Sequence, residues 1–167
     1  MSQASKQVEW CIRKAEKELA ECKRLQKRPK HRGLVVMDSS SKEAQNHLQK
    51  AEENLHIAVS LADKFGPIAI SSIFYGFYHC FLAIAAKFGY ESGNQTCTIA
   101  LIEYLKEQSK ISLDDKFIQM MKYKEDQKDE QYTSIIDMRE EYTYSAKISV
   151  EKEKINEIIV LCQEMLE

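Results

Sequence analysis

Apolar residues recur along much of this chain at alternating steps of three and four, the period of one helix face. Val8, Ile12, Ala15, Leu19 and Cys22 form a narrow stripe that predicts a first helix over about 3–26, ended by Pro29 and Gly33. The short run Leu34-Val35-Val36-Met37 then reads as loop. Ser40 followed by Glu43 is a capping box, and it opens a second helix carrying Leu48, Ala51, Leu55, Ala58, Ala62 and Phe65 as a seam for a neighbouring helix. Gly66-Pro67 turns the chain into a third helix, because proline is tolerated in a first helical turn.

That third segment breaks the pattern. Residues 65–86 carry no charge over 22 positions and are apolar on every face, so this helix must be surrounded by lipid or by other helices. Ser71, Ser72, Tyr75, Tyr78 and His79 lie in its middle, where hydrocarbon penalises polar groups. Its flanks lack the one-sided Lys/Arg cluster that orients a membrane span. The first 30 residues are charged throughout and show no signal-peptide pattern. The expectation is the central helix of a soluble bundle, ending near Phe88-Gly89.

Beyond Gly93 and Asn94, Thr96 or Thr98 is positioned to cap a helix over about 99–106. Ser112 with Asp114 and Asp115 starts another, carrying Phe117, Met120 and Met121. The polar stretch 122–131 reads as the most flexible segment. Ile135, Ile136, Met138 and Tyr142 indicate a helix running into Tyr144, and Ile155, Ile158, Ile159, Cys162, Met165 and Leu166 indicate a last one. No strand pattern or internal repeat is visible. The fold class is all-α, an up-and-down helical bundle of four to five core helices over 42–167, with an N-terminal basic helix and loop over 1–41.

Charge adds one asymmetry. Residues 1–32 hold ten Lys/Arg against four Glu, whereas the whole chain has a net charge of −2. Six cations fall between Lys23 and Arg32, a run that suits nucleic acid or an acidic partner, or simply a solvated helix end. The five cysteines are odd in number and form no CxxC pair; Cys80 and Cys162 sit on apolar stretches, where free cysteine behaves as a small hydrophobe. A reducing cytoplasm is the expected setting.

Standard catalytic signatures are missing: there is no P-loop, dinucleotide fingerprint, HExxH, EF-hand or nucleophile elbow. The four histidines are scattered without a zinc-ligand spacing, so no metal and no cofactor is expected. What remains is a set of polar residues within apolar helices. Tyr75 and His79 are four apart and share a face. Arg139, with Glu140, Glu141, Tyr142 and Tyr144, lies near a helix end, where its guanidinium fork suits either a surface ion pair or a phosphate.

Residues 50–105, KAEENLHIAVSLADKFGPIAISSIFYGFYHCFLAIAAKFGYESGNQTCTIALIEYL, resemble the HEPN domain, named for nucleotide binding in higher eukaryotes and prokaryotes. The likeness is to small prokaryotic members with a Tyr-Tyr-x-x-Tyr/Phe-His block, here Phe74-Tyr75-Gly76-Phe77-Tyr78-His79. Their C-terminal Arg followed five residues later by Tyr matches Arg139 and Tyr144, and the resemblance extends over about 42–167. It implies an often dimeric bundle, frequently encoded beside a minimal nucleotidyltransferase in toxin–antitoxin or stress systems. Many members are metal-independent ribonucleases; others bind nucleotides or RNA without catalysis. The nucleases use an Arg followed four to six residues later by a His, which handles the 2′-hydroxyl proton while the Arg stabilises phosphate charge.

This chain departs from that pattern where catalysis is decided. No histidine follows residue 79, and Tyr144, a phenol and a poor base at neutral pH, stands in the required place. Arg24 and His31 have the literal spacing but precede the bundle. The leading expectation is a non-catalytic nucleotide- or RNA-binding module, a homodimer in the cytoplasm, with a ligand site of Tyr75, His79, Arg139, Glu141 and Tyr144. One alternative is a metal-independent ribonuclease using His79 with Arg139. Another is a structural scaffold whose helix stripes pair with a partner protein.

Overall fold

A computed structural model describes residues 2–127 and 131–167. Among them are seven α-helices and one two-stranded sheet: α1 Gln3–Arg24, β1 Leu34–Val36, α2 Ser41–Leu61, α3 Gly66–Lys87, β2 Tyr90–Ser92, α4 Gln95–Glu107, α5 Asp115–Met120, α6 Ile135–Tyr144 and α7 Lys152–Leu166. The chain is an all-α helical bundle. Its contacts divide it into two units, Met1–Gln45 with Phe81–Leu113, and Asn46–Cys80 with Asp114–Glu167.

In the first unit α1 buries Ala4, Val8, Cys11 and Ala15, four residues of one face. That face meets Leu34, Ala85, Ala100, Leu101 and Leu105 in a shared core. Gly33 lets β1 pass against α1, since a Cβ there would lie 2.1 Å from the Cys11 carbonyl oxygen and 2.8 Å from the Ala15 nitrogen. Cys11 and Cys97 are disulfide-bonded across 86 residues, a pairing with no sign in the sequence spacing. Cys80 and Cys162 are free and buried as expected, and burial pushes both thiols up to about 12.

Three local expectations need correction. The segment read as loop contains β1, which pairs antiparallel with β2 in the register Leu34↔Ser92, Val35↔Glu91 and Val36↔Tyr90. Strands of three residues are too short for alternation to reveal them. Asn94, rather than Thr96 or Thr98, caps α4: its side chain accepts from the Cys97 N–H at 3.0 Å, while Thr98 is buried and donates to the Asn94 carbonyl. Phe65, expected in the α2 seam, is 52% exposed because α2 has already ended at Leu61. The capping box holds in one direction, with the Glu43 N–H on Ser40 Oγ at 3.1 Å.

The second unit is built round the first half of α3. Phe74 and Phe77 are fully buried, and Phe77 meets Phe117 of α5 at 6.2 Å between ring centroids. Gly76 allows α7 to approach, because a Cβ there would lie 2.9 Å from Cys162 Sγ. Of the most apolar stretch of α3, whose mean hydropathy is 1.7, 61% is buried within protein. Ile155, Ile158, Ile159 and Cys162 seat α7, and Ile135, Ile136 and Met138 seat α6. In the stretch read as flexible, Lys124–Asp126 forms one 3-10 turn, while 128–130 lie outside the described residues.

Candidate functional site

The geometry begins with α6. Ser134 caps it, accepting from the Asp137 N–H at 3.1 Å and donating to the Lys122 carbonyl at 2.7 Å. Each helical residue advances about 100°, so Arg139 lies about 40° from Ile135, on the buried side of α6. Its side chain is accordingly only 18% exposed. The guanidinium carbon stands 4.3 Å from the centroid of the fully buried Phe74 ring, a cation–π contact worth about 0.5–2 kcal/mol. Arg139 Nε is buried with no hydrogen-bond partner, and the nearest carboxylate contact, Nη2 to Glu140 Oε1, is a loose 3.7 Å.

Glu140 is already engaged. It accepts the Tyr123 hydroxyl at 2.7 Å, and that hydrogen bond, then burial, raises the pKa of Tyr123. Asp137 accepts the Lys124 N–H at 2.9 Å, tying the 3-10 turn to α6. Arg139 therefore sits among Phe74, Tyr123 and Glu140 with part of its donor fork unused. Tyr123 was missed in the sequence, being embedded in a polar stretch with no periodicity.

His79 has a different environment. Its Nδ1 lies 3.0 Å from Nδ1 of His47 on α2, and the two rings stack at 5.2 Å. One Nδ1–H donates to the other Nδ1, an arrangement that needs at least one neutral ring in the matching tautomer. Burial first, then the His47 and Lys50 charges, lower the His79 pKa, so the neutral imidazole is favoured. His47, also missed, lies three residues after Ala44 and four before Ala51, both buried positions of α2.

The sequence-selected residues thus occupy separate places on their helices. His79 is five residues beyond Phe74, about 140° round α3 from the ring that carries Arg139. Tyr75 shares the His79 side, is 44% exposed, and meets Phe74 edge-on at 5.2 Å. Glu141 and Tyr144 point away from the buried side of α6: Glu141 is ion-paired with Lys147, and Tyr144 is 80% exposed. A cavity of about 540 Å³ opens beside them, lined by Tyr142, Lys147, Ser149, Val150, Glu151 and Lys154. Among the described residues no three His, Cys, Asp or Glu side chains gather as metal ligands. No family model matches the chain, and no curated protein matches its sequence.

Proposed function

We propose that this chain is a non-catalytic, HEPN-like module that binds a nucleotide or RNA phosphate through Arg139, acting as a homodimer and as partner to a nucleotidyltransferase-type protein in a toxin–antitoxin or stress system. One observation carries the reading. Arg139 is held on the Phe74 ring with a buried, unpartnered Nε and no bidentate carboxylate. A buried guanidinium fixed only for structure normally has its donors satisfied. One with spare donors suits a planar, forked contact to phosphate.

Two features favour binding over cleavage. The position where the nucleases carry histidine holds the exposed Tyr144, and His79 is paired with His47 on another side of α3. Exposed Ile68 and Tyr75, two turns apart on α3, with exposed Phe65 beside them, support a self-association face. The cytoplasmic setting belongs to the same proposal, with the Cys11–Cys97 bridge then a product of oxidation.

The test uses purified protein in EDTA with a nucleoside monophosphate and with labelled tRNA, beside Arg139→Lys, Arg139→Ala and His79→Ala. The expected result is intact tRNA, and a nucleotide-dependent rise in melting temperature that Arg139→Lys, which keeps charge but loses the fork, abolishes. Cleavage lost in both alanine variants would replace the proposal with the ribonuclease reading. Nucleotide stabilisation equal in wild type and Arg139→Ala would remove the site.

A further inference from the structure

The face of α1 turned away from the protein carries chemistry that Arg139 does not use. Ala4, Val8, Cys11 and Ala15 point into the first unit. Lys6, Trp10, Arg13, Lys17 and Arg24 lie roughly on the opposite side of the helix at about 100° per residue, and all five are exposed. The stripe from Lys6 to Arg24 is about 27 Å long. Trp10 is 49% exposed, and Lys14 Nζ sits 5.0 Å from its ring centroid. An exposed indole amid cations serves no core and leaves one aromatic face available.

The basic stripe continues past the helix in a built loop. Gln26, at φ 53°, reverses the chain, and the Lys27 N–H returns to the Cys22 carbonyl at 2.9 Å. His31 is held by Glu91 at 2.9 Å, and the Arg32 N–H donates to Glu18 at 2.5 Å. These contacts occupy nearby acids with ring and backbone groups. Among the described residues, Arg13, Lys17, Lys27, Arg28, Lys30 and Arg32 form no ion pair, and only Arg24 has a loose one, to Glu21 at 3.7 Å. Lys27, Lys30 and Arg32 also line a cavity of about 350 Å³ with His31, Cys22, Leu25 and two carboxylates, Glu18, which holds the Arg32 N–H, and Glu21, which pairs loosely with Arg24.

We infer that this surface binds single-stranded RNA, with Trp10 stacking on a base while the α1 and loop cations follow the phosphates. A positive track with an aromatic platform is how unstacked strands are held without sequence preference. An anionic membrane is a poorer match, because the apolar sector of α1 is spent on the core and only Trp10 and Leu25 remain exposed to insert. An acidic protein would use the charges but has no need of the indole. The inference goes beyond the Arg139 site and stands on different residues.

Trp10 is the only tryptophan in the chain, so its fluorescence reads the contact directly. The experiment titrates the full-length protein with a 15-nucleotide oligouridylate, following tryptophan quenching and the anisotropy of labelled RNA. The expected result is saturable quenching, with affinity falling about 50-fold between 50 and 200 mM salt if four phosphates are contacted. Trp10→Ala should weaken binding about 5- to 150-fold, Trp10→Phe much less. Arg13→Glu/Lys17→Glu should weaken it and flatten the salt slope, with circular dichroism confirming the fold. The Arg13→Glu/Lys17→Glu variant should keep the nucleotide-dependent rise in melting temperature assigned to Arg139, which separates failure of this site from failure of the nucleotide site. Binding without quenching, unchanged binding in Arg13→Glu/Lys17→Glu, or quenching by phosphatidylserine vesicles or polyglutamate but not RNA would each overturn the inference.

Discussion

Breaking the Cys11–Cys97 bridge should loosen the first unit far more than the second. The two sulfurs join α1 to the first turn of α4 across 86 residues, and both cysteines are buried. In the loop-entropy view, releasing a closure of that length costs about 4.6 kcal/mol at 25 °C. That is a large share of a typical stability of about 5–15 kcal/mol. For a chain of this size it corresponds to a fall in melting temperature of roughly 9–18 °C. The assay compares thermal melts of the oxidised protein, the protein reduced while unfolded and then refolded in reductant, and Cys11→Ala. Hydrogen exchange then locates the effect, with faster exchange expected at Val8 and Leu101 and little change at Ile158. The variant also loses a buried sulfur, so reduction gives the cleaner figure. Five thiols alkylated in the unreduced, denatured protein, or a fall below about 3 °C on reduction of a confirmed bridge, would refute the reasoning.

Three further outcomes follow from the geometry. Gly33→Ala should lower stability by more than the usual effect of a surface change, because the new Cβ meets the Cys11 and Ala15 backbone rather than a movable side chain; urea melts beside Gly66→Ala, whose Cβ would meet side-chain atoms of Ile155 and Val150 at 3.0 Å or more, would show it. His79 has a lowered folded pKa, so between that value and its unfolded pKa, near about 6.5, the unfolded chain binds more protons. Its contribution is present above about pH 6.5 and lost as pH falls through the folded pKa. His79→Asn should therefore flatten stability against pH in that acid window, and an unchanged slope would reject the His47–His79 pairing as its source. Ile68→Glu should shift the proposed dimer to monomer in light scattering without altering the melt of isolated protomers at high dilution.

Most of the helices were legible because each has a stripe that a neighbour must cover. The apolar positions of α1, α2, α6 and α7 repeat at three and four, and the structure buries the central members of every stripe. What stayed hidden depends on partners far along the chain. β1 exists because β2 lies against it 56 residues later in register, as Leu34↔Ser92 and Val36↔Tyr90 show. The bridge exists because α1 turns Cys11 toward Cys97. Neither relation leaves a local trace. Asn94 is different: asparagine outranks threonine as an N-cap, so the sequence did carry a signal that favoured it over Thr96 or Thr98.

The site residues divide on the same physical ground. Arg139 lies four residues after Ile135 and three before Tyr142, and His47 lies three after Ala44 and four before Ala51, so both are polar residues set within apolar stripes. That placement, more than their chemistry, foretells burial: Arg139 ends on Phe74 and His47 on His79. Glu141 and Tyr144 belong to the same short segment as Arg139 but fall off its stripe, and the structure leaves them facing outward. Trp10 is the converse case, an aromatic residue on the basic side of α1, where no core can claim it. A polar group drawn into an apolar stripe costs free energy unless it is partnered, and an aromatic group on a charged face offers a stacking platform beside cations. Those two mismatches are why Arg139 and Trp10, rather than the more numerous tyrosines, carry the functional proposals.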